Sequence, residues 1–225
     1  MHEQAAALLE LVRHCAMPDG EIACRGTWIR QQGEIRLAPS RPWLPFEAEE
    51  WFEKRDVDFR WRAWVAMAPF VKARVVDSFD HGRGSLAVSL FGLVPIVRSQ
   101  GAETDKGEAL RGLAELPWHP FAFRPTPSLR WEAAAGDKLR GTYDDGKTQV
   151  TSEFEIDRDG RVLGGTALRP RLVGKTAVET TWSGIFGLYR NFGKLSIPTV
   201  GEATWQLPEG PLTYWRGRVT ELRVL

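Results

Sequence analysis

The chain has 225 residues, 43% hydrophobic and 26% charged, a globular composition that excludes disordered, collagenous and coiled-coil proteins. Thirty basic residues against 29 acidic ones leave a formal net charge of +1, so no long-range field marks a polyanionic partner. Eleven Phe, 10 Trp and 3 Tyr are an unusual aromatic load, at about 150–250 Å² to bury per ring.

Leu8, Leu9, Val12 and Cys15 share one face of a short N-terminal helix that Pro18 and Gly20 stop. The first ten residues have no basic n-region and do not read as a signal peptide. Cys15 and Cys24 form no regular framework and are expected to be reduced, buried thiols. From residue 25 to 97 about five strands are expected. Phe59, Trp61, Ala63, Val65 and Met67 alternate with Arg60 and Arg62; Val71, Ala73 and Val75 repeat the pattern, as do Leu86, Val88 and Leu90. The longest uncharged run, residues 84–97, falls short of a membrane span, which takes roughly 18–20 residues. The chain is therefore expected to be soluble and cytoplasmic.

A second helix is expected over 104–116, with Thr104 as N-cap, Leu110 and Leu113 on one face and Pro117 as terminator. It opens a helical, proline-rich insertion over residues 104–124. From residue 128 onward about six more strands follow, Val150, Ser152, Phe154 and Ile156 alternating with Thr151, Glu153 and Glu155. The clusters His81-Gly82-Arg83-Gly84, Asp144-Asp145-Gly146, Asp157-Arg158-Asp159-Gly160, Asn191-Phe192-Gly193 and Pro208-Glu209-Gly210-Pro211 supply the turns. The whole reads as one mainly β domain, residues 1–225: a single curved antiparallel sheet of about 11 strands, a half-barrel or open barrel, with two short helices. A sheet that wide must curl, and two short helices do not fill its concave face, so an apolar cleft is expected.

Several motifs fail on context. Gly141-Thr142-Tyr143-Asp144-Asp145-Gly146-Lys147-Thr148 spells a phosphate loop, but a strand follows it and two aspartates sit where phosphates would. Gly82-Arg83-Gly84-Ser85-Leu86-Ala87 likewise opens a strand instead of a dinucleotide-binding helix. His2, His14, His81 and His119 are too scattered for a metal site. Arg60-Trp61-Arg62-Ala63-Trp64 reads as surface arginines around a core tryptophan, with no nucleic-acid footprint.

What remains is a constellation. Trp118, Trp182, Trp205 and Tyr214 are candidate walls of the cleft, with Arg130, Arg216 and Glu202 orienting a polar head; the last hairpin places Glu202 opposite Arg216, an ion pair across two strands. These residues suit the binding of an apolar or amphipathic small molecule, with no cofactor and no metal. The alternative is a cofactor-independent lyase, isomerase or cyclase, with Glu202 or His119 as acid–base group and Tyr189 or Arg216 stabilising developing charge.

The stretches Gly33-Glu34-Ile35-Arg36, Trp43-Leu44-Pro45-Phe46, Met67-Ala68-Pro69, Leu93-Val94-Pro95, Leu116-Pro117-Trp118-His119-Pro120, Leu129-Arg130-Trp131-Glu132 and residues 189–198 are familiar together. With Gly201-Glu202-Ala203-Thr204-Trp205 and Gly210-Pro211-Leu212-Thr213-Tyr214-Trp215-Arg216, the chain resembles an uncharacterised bacterial domain-of-unknown-function family over residues 26–222. Its pattern fixes Trp118 and Pro120 but tolerates other side chains at His119. Many relatives carry an N-terminal membrane segment, and none is read in this sequence. The resemblance implies no reaction; by looser analogy it implies a half-barrel like those of lipoprotein carriers.

Overall fold

The structure, a computed structural model, describes residues 2–20, 22–53, 56–173 and 176–225. One run of hairpins comprises β1 (Gly26–Ile35), β2 (Leu44–Glu53), β3 (Phe59–Ala68), β4 (Val71–Asp80), β5 (Arg83–Leu90) and β6 (Val94–Ser99). A second comprises β7 (Leu129–Ala134), β8 (Lys138–Asp144), β9 (Gln149–Ile156), β10 (Val162–Val173), β11 (Thr176–Phe192), β12 (Leu195–Leu207) and β13 (Gly210–Val224). They join where β1 pairs with β13, giving one antiparallel sheet of order β6-β5-β4-β3-β2-β1-β13-β12-β11-β10-β9-β8-β7. The count is thirteen against the expected eleven, one strand more in each half.

The alternation is realised on the backbone. Phe59, Trp61, Ala63 and Val65 are buried while Arg60, Arg62 and Trp64 are exposed. Asp145 accepts from the N–H groups of Lys147 and Thr148 at 2.9 and 2.7 Å, so the phosphate-loop look-alike is the β8–β9 hairpin turn. His81 and Gly82 both have positive φ (48° and 77°), as a two-residue turn of mirror-image type requires between β4 and β5.

The sheet curls strongly. The helix α2 (Ala102–Ala114) touches β4 and β5 and also β8, β9 and β10. In a flat sheet β5 and β9, nine places apart, would be separated by about 43 Å, at about 4.8 Å per strand. A helix of 13 residues, about 20 Å long, cannot bridge that gap, so the two wings face one another across it. Register shifts in the pairings of β1, β5, β10 and β12 supply local bends. In β11 Leu188 has φ 52° and drops out of register, and its carbonyl accepts from Thr199 Oγ1 at 2.6 Å.

The helix α1 (His2–Ala16) packs Ala5, Leu9 and Val12 on the core and touches β7, β8 and β12. The second helix starts two residues before the expected position, with Gly101 (φ 106°) at its N-cap. Thr104 does not cap it; its hydroxyl bonds Ser99 Oγ at 2.7 Å and ties the helix to β6. Single 3₁₀ turns at Leu116–Trp118 and Pro120–Ala122 carry the chain on toward β7.

Gly112 marks how closely α2 approaches the sheet: a Cβ there would run into the carbonyl of Val57 and the ring of Phe59. Alanine is better than glycine in a helix by about 1 kcal/mol, but overpacking against fixed backbone costs about 1–3 kcal/mol. Gly112→Ala is therefore expected to destabilise the protein in a urea titration, and a gain in stability would contradict this packing.

Candidate functional site

Between α2 and the concave face lies a cavity of about 210 Å³. Its apolar walls come from both wings: Trp61 of β3, Val75 of β4, Trp182 and Phe186 of β11, Trp215 of β13, and Trp118 from the 3₁₀ turn after α2. Glycines let the rings lie against the sheet. A Cβ at Gly201 would come within 2.9 Å of the Trp118 ring, and one at Gly184 within 2.9 Å of Trp182. Trp118 is fixed by an N–H bond to the Pro198 carbonyl (3.1 Å) and by ring contacts with Phe186 (5.3 Å) and Trp215 (5.8 Å).

One end of the cavity is charged. Asp77 stands at an inward place of β4, between Val75 and Phe79, and Glu50 at an inward place of β2, between Ala48 and Phe52. From α2 come Glu108 and Arg111, and Glu115 follows at its C-cap. The three guanidinium nitrogens of Arg111 divide among three acids: Nη1 donates to Asp77 Oδ2, Nε to Glu115 Oε1 at 3.0 Å, and Nη2 lies 3.6 Å from Glu50 Oε1. The guanidinium also lies over the rings of Trp61 (4.8 Å) and Phe59 (5.0 Å). Gln31 extends the network, accepting from Trp61 Nε1 at 2.8 Å and donating to Glu50 Oε2 at 3.1 Å.

Four carboxyls surround this arginine, and burial works against the ionised form of two of them. Burial, with Glu115 beside it, pushes the Glu50 carboxyl well above the usual range. Burial, with Asp77 beside it, does the same to Glu108. Burial alone would lower the Arg111 pKa, but the surrounding carboxylates more than reverse that and hold the cation. Each raised acid faces a partner within hydrogen-bond reach, Glu50 to Glu115 and Glu108 to Asp77. Arg169 and Trp182, which also line the cavity, both donate to the Tyr214 hydroxyl, at 3.3 and 3.1 Å.

Of the residues singled out from the sequence, Trp118, Trp182 and Tyr214 line this cavity together. Trp205 lies beside it, stacked on Tyr214 at 5.8 Å. Glu202 borders it between Gly201 and Ala203, but strand alternation turns its side chain to the convex face, where its register partners are Ile185 and Arg216. The expected register opposite Arg216 is therefore present, yet the arginine bonds Glu34 on β1 instead, at 2.8 and 2.5 Å, and covers the Trp43 ring at 4.4 Å. Arg130 is on the surface with Asp144 at 3.4 Å. His119 is fully buried, its Nδ1 2.8 Å from Thr27 Oγ1 and its ring stacked on Phe52. The Tyr189 hydroxyl donates to the Val162 carbonyl at 3.0 Å, and burial pushes its pKa up. His119, Tyr189 and Glu202 thus have separate surroundings. Glu50, Asp77, Glu108, Arg111 and Glu115 were not singled out, although an acid at an inward place of an alternating strand is a signal legible in sequence.

A second, polar concavity is lined by Glu53, Asp56, Asp58, His81 and Asp145. Ligand atoms of Asp58, Asp80 and His81 lie within 4.8 Å of one another there. Burial raises the Asp58 pKa from 3.8 to about 6. Between those values the folded protein binds a proton that the unfolded chain does not, so this group's contribution is present below pH 3.8 and lost as pH rises through about 6. Asp58→Asn should accordingly show a smaller fall in melting temperature between pH 5 and 7 than the parent; identical profiles would refute the assignment.

The family model described as a family of unknown function (DUF6544) matches residues 12–217. No curated protein matches the chain. Similar folds occur in a domain described as an outer membrane lipoprotein-sorting protein from Vibrio parahaemolyticus (TM-score 0.56, 11% identity, 98% of this chain and 93% of that one). A LolA superfamily protein from Nitrosomonas europaea is similar too (0.53, 10%, 98% and 93%), as is a DUF1329 family protein from Desulfovibrio piger (0.54, 12%, 98% and 92%). At these identities the likeness concerns the fold.

Proposed function

The chain belongs to the family of unknown function DUF6544, and for it we propose the binding of a small apolar or amphipathic molecule in the cavity beneath α2. The observation that carries this reading is the cavity itself, walled by four tryptophans and Phe186, with its charged groups gathered at one end. Enclosed apolar space with a few convergent polar groups is the usual form of a small-molecule site. Its volume, about 210 Å³, lies below the roughly 300–1,000 Å³ of sites for drug-sized ligands. A single short chain or ring system suits it better than a multi-chain lipid. The Vibrio neighbour, similar in fold, is described as lipoprotein-sorting, which gives support by analogy. The free thiol of Cys15 suits a reducing, cytoplasmic compartment.

Because Trp61, Trp118, Trp182 and Trp215 all line the cavity, occupancy is readable in intrinsic fluorescence. Titration with 1-octanol is expected to give a saturable spectral shift. Ala203→Phe, which fills the cavity from β12, should abolish that shift while the circular dichroism spectrum stays unchanged. A spectrum indifferent to octanol in the parent protein would overturn the reading.

A further inference from the structure

Two neighbouring hairpin turns hold phenylalanines where the backbone favours other residues. The β3–β4 turn is Ala68-Pro69-Phe70-Val71, and Phe70 has φ 63°. After proline, a turn residue of positive φ is usually glycine or asparagine. The β5–β6 turn is Leu90-Phe91-Gly92-Leu93, closed by the Leu93 N–H on the Leu90 carbonyl at 3.0 Å. Phe91 and Gly92 have φ 52° and 75°, a mirror-image turn whose first central place favours asparagine. The two turns lie side by side, since the Phe91 N–H donates to the Lys72 carbonyl at 2.8 Å. Phe70 is 98% exposed and Leu93 84%, with Phe91, Met67, Val94 and Ile96 exposed as well. A Cβ on Gly92 would lie 3.2 Å from the Trp64 ring and 3.5 Å from Arg74, so the second turn is firmly seated. Bulky apolar side chains kept in solvent at a backbone cost point to a partner outside the fold.

The charges around these tips have one sign. Residues 59–76 and 82–102 include Arg60, Arg62, Lys72, Arg74, Arg83 and Arg98 and no acid. Of the two acids between them, Asp77 is bonded to Arg111, and Asp80 lies at the far end of β4 beside His81. Lys72, Arg74 and Arg98 form no ion pair among the described residues. The first acid met across the sheet from Arg74 is Glu47 on β2, with Trp64 between them. We infer that this end of the sheet docks on an anionic phospholipid bilayer, with Phe70, Phe91 and Leu93 among the acyl chains and Lys72 and Arg74 at the headgroups. Side chains that project from turn tips offer a folded partner no flat face and a peptide no groove. A fluid apolar phase fits itself around them, and its anionic surface complements the cations. Docking needs no ligand beneath α2 and stands apart from the cavity.

Flotation with vesicles of phosphatidylcholine and phosphatidylglycerol in equal parts should carry the protein with them. Partition on phosphatidylcholine alone is expected to be weaker by roughly tenfold or more. The double variant Phe70→Asn and Phe91→Asn gives each turn a residue its backbone favours, so its melting temperature should match or exceed the parent's. Its partition should nevertheless fall by roughly tenfold or more, through the lost apolar area. Leu188→Asn alters an exposed leucine of similar backbone (φ 52°) on β11 and should leave partition unchanged. Lys72→Gln with Arg74→Gln should remove most of the preference for anionic vesicles, which tests docking even where the phenylalanine variants fail to fold. No flotation of the parent, equal partition on both kinds of vesicle, or an equal loss in Leu188→Asn would overturn the assignment. Dimerisation of the parent without lipid, abolished in the double variant, would overturn it too and give the tips to a second copy.

Discussion

Arg111→Ala is expected to lower the free energy of unfolding by about 3–5 kcal/mol at pH 7, the cost of leaving buried charges without their partner. The guanidinium bonds Asp77 and Glu115, lies 3.6 Å from Glu50 and stacks near two core rings. Its removal leaves four carboxyls facing one another in a site water barely reaches, and they can relax only by taking up more protons. The loss should therefore diminish as pH falls, because protonation then removes the repulsion the arginine had balanced. Urea denaturation at pH 7 and pH 4.5 measures both quantities. A loss below 1 kcal/mol, or one that grows on acidification, would contradict the arrangement. Domains are stable by only about 5–15 kcal/mol, so the variant approaches the limit of folding.

Trp118→Ala is expected to cost about 3–5 kcal/mol, as truncation of a buried tryptophan does. Beyond its buried area it loses the bond to the Pro198 carbonyl and the contacts that hold Phe186 and Trp215 in place. The same substitution opens the cavity toward Gly201, which the ring covers. Gly201→Val in the parent forces a methyl group into that ring; after Trp118→Ala the space is free. The two effects should be strongly non-additive, with Gly201→Val far less damaging in the Trp118→Ala background. Additive losses would mean that ring and glycine are not in contact.

Sequence order exposes one flank of each strand well and the other poorly. Hairpin neighbours follow one another in the chain, so the meander, the turns at Asp145 and His81, and the pairing of Glu202 with Arg216 were all legible. The other neighbour of β13 is β1, nearly two hundred positions earlier, which is why the partner of Arg216 on Glu34 was not. The aromatic excess was read as cavity lining, and it divides instead. Trp118, Trp182 and Trp215 face inward, whereas Trp43 lies between Arg36 and Arg216 at 4.7 and 4.4 Å, and Trp51 lies under Arg62 at 4.2 Å. Alternation alone could have separated these sets, and it also marked Glu50 and Asp77 as inward acids. It could not reveal that the chain between β6 and β7 returns across the concave face and sets Arg111 against both. The resemblance to a family of unknown function and to half-barrel carriers agreed with the family match and the neighbouring folds.

The seam between β1 and β13 has a consequence for biosynthesis. The first strand made lies at the middle of the sheet with one edge open until the last strand leaves the ribosome, since β13 follows every other strand in the chain. Until then the nascent protein consists of two separate hairpin stacks, tethered by α2 and unable to close around it. Pairings this distant in sequence form slowly, and an unpaired inner edge is a template for another chain. Vectorial synthesis thus leaves the molecule's most central edge exposed longest, and a holding chaperone would find its strongest claim on the protein in that interval.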